Sequence, residues 1–399
     1  MSRLADRYSF IFAGYAPYEM HDLVREFVRA DTLTDGRNAF DWPALAEGLR
    51  RALPLVDQRI VLAEQRMPDL DERYVDAEWR DATLDQLNIL LWLGQDKAAK
   101  RLLLNRWIEA QYANDEFAVQ LAELAGELAP KRKDWQGLLT AMEAQEYERL
   151  EGNSELIEPH ARVVRCYLRA QQLRIAWVNS EDDLKRINQQ IELLEHSRAL
   201  DEYWAPIHIE LADAYGNRGS YIGQQNHYVE ALVDFEKSLA LQPDDPDTLH
   251  QRGWVRVKLS DYAGALTDFE RSLAIRPDNP ATLHNRSKAK SLLSDYAGAL
   301  ADYDRALTVR PDFPEALEGR GWVKSELGDY TGALADYDRS LALRPDNPDT
   351  LNNRGYLYAK RGEYNKAIFD LHKAIRISPQ VSMFFVHSLR RILLWAVMI

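Results

Sequence analysis

Proline recurs every 34 residues through the second half of this chain, at Pro243, Pro277, Pro311, Pro345 and Pro379. Alanine keeps the same period at Ala231, Ala265, Ala299, Ala333 and Ala367, and so does an aromatic set, Phe235, Phe269, Tyr303 and Tyr337, closed by Leu371. Gly219, Gly253, Gly321 and Gly355 repeat in phase, with Ser287 in the third copy. Such a period leaves few folds open: a unit this short cannot bury its own apolar face, so the copies must stack. Each unit reads as two helices. Pro246, Pro280, Pro314 and Pro348 open the first, where a missing N–H costs nothing. The small residue eight places along allows close approach of the second helix. A Ser/Gly-Asp/Glu-Tyr turn joins the two, as in Ser260-Asp261-Tyr262 and Gly328-Asp329-Tyr330. The alanine sits at the crossing, the aromatic fills the space beyond it, and Pro277 and its equivalents stop the second helix.

These residues resemble the tetratricopeptide repeat, over residues 212–381, nearly half the chain. The resemblance implies an all-α fold: a right-handed superhelical α-solenoid of antiparallel helix hairpins with a concave side; the opening residues are expected to add a small strand-containing N-terminal cap. It also implies that the second, fifth, ninth, twelfth and thirteenth places of each unit face the groove. On this sequence they include His250, Trp254, Lys258, His284, Lys288, Glu318, Trp322, Asn352, Tyr356 and Lys360. Trp and Tyr are enriched at binding hot spots, so Trp254, Trp322 and Tyr356 are the expected anchors, with partial core as the alternative for the two tryptophans. One subfamily clamps chaperone C-terminal carboxylates with groove lysines, arginine and asparagines. The ninth places here are Ser220, Trp254, Lys288, Trp322 and Tyr356, with no asparagine, which argues against that ligand. His250 and His284 are one unit apart, too far to share a metal, and are expected as hydrogen-bonding surface; no metal or cofactor is expected.

A second regularity pairs Arg218, Arg252, Arg286, Arg320 and Arg354 on first helices with Asp234, Asp268, Asp302, Asp336 and Asp370 on second helices. The spacing predicts an Arg–Asp ladder within or between units. Pairs of this kind exposed to solvent contribute about 0–1 kcal/mol each.

Residues 40–211 read as degenerate helical hairpins without the 34-residue phase. Helical spacing is expected over 83–112, 117–128, 136–150, 160–178 and 181–201, with Pro130 and Pro159 at helix boundaries and a loop at Gly152-Asn153-Ser154. Trp79, Trp92, Trp107, Trp135 and Trp177 are expected in the core. At the N-terminus, Tyr8 to Phe12 reads as a short strand, followed by a helix that Asp22 caps. Met20-His21-Asp22 and the Leu-Val-Arg-Glu-Phe after it resemble the MHD motif in the winged helix of signal-transduction ATPases with numerous domains (the STAND, or NB-ARC and NACHT-like, proteins). That resemblance implies a winged-helix remnant at 1–39 and a vestigial nucleotide-sensing role for His21. No G-x-x-x-x-G-K-[ST] loop accompanies it, so the chain by itself is not expected to bind ATP.

The remaining features narrow the function class. A net charge of −13 with no basic stripe argues against nucleic acid. Cys166 is the only cysteine, which excludes a disulfide framework and points to a reducing, cytoplasmic compartment. The N-terminus lacks a signal-peptide pattern. Residues 383–399 are apolar but interrupted by Arg390 and Arg391, too short for a good span, and are expected as an apolar capping helix over 382–399. No G-x-S-x-G, H-E-x-x-H or dinucleotide loop occurs, and Cys166 sits in an apolar helix. The sequence therefore points to a non-catalytic scaffold or sensor for a protein or peptide ligand, with neither a membrane nor a small-molecule substrate expected. Alternatives are the sensor half of a STAND-type switch and an accessory subunit of an enzyme or membrane complex.

Overall fold

The computed structural model describes residues 42–67, 69–128, 135–145, 156–175 and 178–378. Among these residues there are eighteen α-helices and no strand. The strand expected at residues 8–12, the 1–39 remnant with His21, the loop at 152–154, Pro130, Trp177, the side chain of Trp92 and the 382–399 capping helix lie outside the described residues. No helix among the described residues is long and apolar enough to cross a membrane.

The chain divides into two compact units, Met1–Arg174 with Asn188–Ile207, and Ile175–Ile187 with His208–Ile399. The first contains α1 (Trp42–Arg66), α2 (Leu70–Val75), α3 (Ala77–Trp92), α4 (Asp96–Ala113), α5 (Asp115–Leu128), α6 (Gln136–Glu143) and α7 (Pro159–Gln172). The helical stretch expected at 83–112 is two helices. They are parted at Gly94, whose φ of 67° is a conformation that ends helices and favours glycine. Trp79, Trp107 and Trp135 are buried as expected. Beside them lies a polar cluster that the spacing did not announce. The Tyr74 hydroxyl donates to Glu109 Oε2 at 2.7 Å, and Arg106 bridges Glu109 at 3.1 Å and Glu64 at 2.8 Å. The Arg106 guanidinium also lies over the Trp79 ring, 5.1 Å from its centroid. Each buried charge here has an opposite charge or a donor, the condition under which burial is tolerated.

α8 (Glu181–Leu200) begins in the second unit and ends in the first. Five hairpins follow: α9 (Ala205–Gln224) with α10 (Tyr228–Leu241), α11 (Pro246–Lys258) with α12 (Tyr262–Ile275), α13 (Pro280–Leu292) with α14 (Tyr296–Val309), α15 (Pro314–Glu326) with α16 (Tyr330–Leu343), and α17 (Pro348–Lys360) with α18 (Tyr364–Ile377). The punctuation acts as the sequence implies. Pro opens α11, α13, α15 and α17 at the first turn. Asp261, Asp295 and Asp329 cap α12, α14 and α16, each accepting from the backbone N–H three residues on. The residue before the turn acid, or before His227 in the first copy, has positive φ in all five hairpins: Asn226, Ser260, Ser294, Gly328 and Gly362.

Helix crossings explain the small residues. A Cβ added at Gly253 would stand 2.6 Å from Phe269 Cε1 and 2.9 Å from Cδ1, inside a ring that is itself fully buried. Gly253→Ala is expected to destabilise by roughly 1–3 kcal/mol, the usual penalty of overpacking. Gly94→Ala is the contrast, since no atom lies within 4 Å of its added Cβ and only backbone strain opposes it. Urea unfolding of both variants checks this.

The Arg–Asp ladder is present in all five hairpins and runs within the unit. Each arginine donates Nε and Nη2 to the two oxygens of the aspartate sixteen residues on, at 2.8 and 2.7 Å for Arg218–Asp234 and 2.9 and 2.6 Å for Arg252–Asp268. Arg286–Asp302, Arg320–Asp336 and Arg354–Asp370 repeat the fork. The pairs are not solvent-exposed ones of small value: the aspartate side chains are at most 7% exposed. A second cation one helical turn on shares three of them, Arg256, Lys290 and Lys324, each at 2.8 Å. Adjacent units are also tied, by Arg320–Asp304 and Arg354–Asp338 at 2.7 Å.

Candidate binding groove

The groove residues expected from the sequence separate into two rows. The fifth places His250, His284 and Glu318 face the seam with the next repeat, and Asn352 holds the same place in the last described repeat. His250 Nδ1 lies 2.9 Å from Thr282 Oγ1, and Nε2 lies 3.4 Å from Asn285 Nδ2. Glu318 accepts from Thr350 Oγ1 at 2.9 Å, Asn347 Nδ2 at 3.2 Å and Asn353 Nδ2 at 3.4 Å. In both cases the partners include the third- and sixth-place residues of the following unit. Burial holds the His250 pKa below, and the Glu318 pKa above, their ordinary values.

Two fifth-place expectations are corrected. His284 is not hydrogen-bonding surface: Ala316 and Gly319 replace the Thr and Asn of the seams on either side, so its Nδ1 is buried with no partner. Its ring packs on Tyr303 and Phe313, with centroids 5.8 and 5.3 Å away. Burial, reinforced by the Lys288 charge, pulls its pKa down to about 4. Asn352 is 1% exposed, with both amide atoms unbonded, and so does not present to an open groove.

The ninth and thirteenth places form the open row. Lys258, Lys288 and Lys360 are exposed, and among the described residues no carboxylate lies within ion-pair distance of any of them. Trp322 is 37% exposed and Trp254 is half-buried. Each indole is braced by the tyrosine opening the second helix of the preceding repeat, Tyr228 against Trp254 at 5.9 Å and Tyr296 against Trp322 at 6.0 Å, both edge-on. Lys258 extends over Trp254 at 5.5 Å, and Lys360 over Tyr356 at 5.1 Å and Tyr330 at 5.9 Å. The tryptophans are thus packed on one side and open on the other, between the two expectations of anchor and partial core.

At the start of this row lies a pocket of 270 Å³. Gly219, Ser220 and Gly223 of α9, Phe235 of α10 and Trp254 and Val255 of α11 line it. Gln224, Gln251, His250 and Asn285 supply its polar rim. The first helices of three consecutive repeats meet here, as a continuous groove requires. The rim amides were not singled out from the sequence. Gln251 and Asn285 share the sixth place of their units, and that recurrence was the available signal. Among the described residues no group of three His, Cys, Asp or Glu is placed to hold a metal ion.

The family comparisons agree with this architecture. Tetratricopeptide-repeat models match residues 218–294 and 348–381, and the TPR-repeat model matches residues 321–362. The chain therefore contains tetratricopeptide repeats. No curated protein matches it in sequence. Among solved structures it is similar to YrrB, a TPR protein with an unusual peptide-binding site, at 23% identity and a TM-score of 0.40, covering 50% of this chain and 99% of that one. It is similar to a thermophilic TPR protein from Thermus thermophilus at 24% identity and a TM-score of 0.40, covering 46% of this chain and 99% of that one. A tetratricopeptide repeat protein from Parabacteroides merdae aligns at 18% identity and a TM-score of 0.44, covering 54% and 80%.

Proposed function

We propose that this chain is a non-catalytic cytoplasmic scaffold that binds a peptide or extended protein segment along the row Trp254, Lys288, Trp322 and Tyr356. The observation that carries the reading is the contrast between this row and the rest of the array. The ladder cations are neutralised by buried aspartates. Lys258, Lys288 and Lys360 have no carboxylate partner among the described residues, and Lys258 and Lys360 lie over aromatic faces. Large rings open on one side, pre-braced on the other, contribute affinity because little side-chain freedom remains to be lost on binding. Fifth-place residues support the row by locking successive first helices together, and His250 in addition stands on the rim of the pocket.

The Trp254→Ala/Trp322→Ala double variant of the full chain tests this. Partner capture from native lysate, at a temperature where both forms stay folded, is expected to weaken at least tenfold, the loss of one to two hot-spot residues. Undiminished capture would contradict the groove reading.

A further inference from the structure

The ninth places change chemistry from one repeat to the next: Trp254, then Lys288, then Trp322. Packed helices are roughly 8–10 Å apart, and an extended peptide advances about 3.3 Å per residue. One repeat therefore corresponds to about three ligand residues. Resting on the groove reading, we propose that the row recognises an extended segment with two large apolar side chains about six residues apart and an acidic residue midway between them. The first apolar side chain enters the pocket against Trp254, whose lining holds no Asp, Glu, Lys or Arg. The carboxylate meets Lys288, which is exposed, with no carboxylate within ion-pair distance among the described residues and the longer-range charge of Glu318 acting on it. The second apolar side chain lies on Trp322, braced by Tyr296. The rim amides Gln251 and Asn285 are positioned to bond the ligand backbone between them.

Charge complementarity sets the sign. The chain carries −13 overall, so an acidic ligand gains nothing from the general field and is recognised locally. The thirteenth place next to Trp322 is the acidic Glu326, which disfavours a second carboxylate there and keeps the acid at the central position.

Fluorescein-labelled synthetic peptides titrated against the full chain test the register. Trp-Ser-Gly-Glu-Ser-Gly-Trp is expected to bind at least tenfold more tightly than the same peptide with a central lysine, and more tightly than Trp-Ser-Glu-Ser-Trp. Lys288→Glu, at an exposed site and checked for unchanged melting, is expected to reverse the preference for the central residue. Equal binding of the acidic and basic peptides, a preference that survives Lys288→Glu, or no binding of any peptide would overturn the register. The groove reading fails separately, if Trp254→Ala/Trp322→Ala leaves partner capture intact.

Discussion

Asp268→Ala is expected to destabilise the repeat array by about 3 kcal/mol or more, well beyond what an exposed ion pair contributes. Asp268 is completely buried and accepts from Arg252 at 2.9 and 2.6 Å and from Arg256 at 2.8 Å. Removing it strands two guanidiniums that are only 13% and 21% exposed, and Asp261, 3.7 Å from Arg256, compensates only in part. The double variant Arg252→Leu/Asp268→Leu is expected to be less damaged than Asp268→Ala, because it removes a charge of each sign and refills the volume. Urea unfolding followed by helical circular dichroism separates the cases. Because repeats unfold through nearest-neighbour steps, the loss should appear as an early, partial transition. Equal stabilities for wild type and Asp268→Ala would mean that the ladder is ornamental.

The second large effect is a loss of stability in acid at the third seam. His284 protonates near pH 4 in the fold, against about 6.5 when unfolded. Between those values the unfolded chain binds more protons, so stability falls as the pH falls, by about 3 kcal/mol in total, and is fully present above about pH 6.5. Around the ring stand Lys288 on its own helix, His250 of the preceding unit, Tyr303, and Glu315 of the following unit, which opposes the shift. Glu318 acts in the other direction: its raised pKa adds relative stability as the pH falls. His284→Phe isolates the imidazole, because any packing penalty it brings is independent of pH. The stability of wild type relative to His284→Phe is expected to fall by about 3 kcal/mol from about pH 7 to about pH 4; a pH-independent difference would place the ring in solvent.

Much of the repeat fold is legible in the sequence because its rules are stated in copy after copy. A single proline or alanine says little, but Pro246, Pro280, Pro314 and Pro348 in phase leave one reading of where the first helices begin. The Arg–Asp spacing likewise foretold which side chains meet, though not that they meet out of water. Burial depends on what covers Asp268 in three dimensions, and the ladder period carries no such information. Gly94 shows a different loss: its turn is of the same kind as Leu327-Gly328-Asp329, yet a single copy among helix formers has no period to mark the break. The cluster of Tyr74, Glu109, Arg106 and Glu64 has no period at all. Its residues come from elements far apart in sequence, and only packing brings them together.

The groove was partly legible. Family geometry assigns the ninth places a direction, and the structure leaves Trp322 and Lys288 open to solvent. The fifth places misled because one geometric rule was applied to residues of different reach. Glu318 and His250 have partners across the seam, and Ala316 and Gly319 remove the partners that His284 would otherwise have had.

Site-specific photo-crosslinking tests the central claim most directly. With p-benzoyl-phenylalanine at position 288 of the full chain, the partner is expected to crosslink, while the same probe at exposed Val309, at the end of a second helix, leaves it free. Crosslinking from 309 and not from 288 would place the working surface on the second helices and contradict the groove.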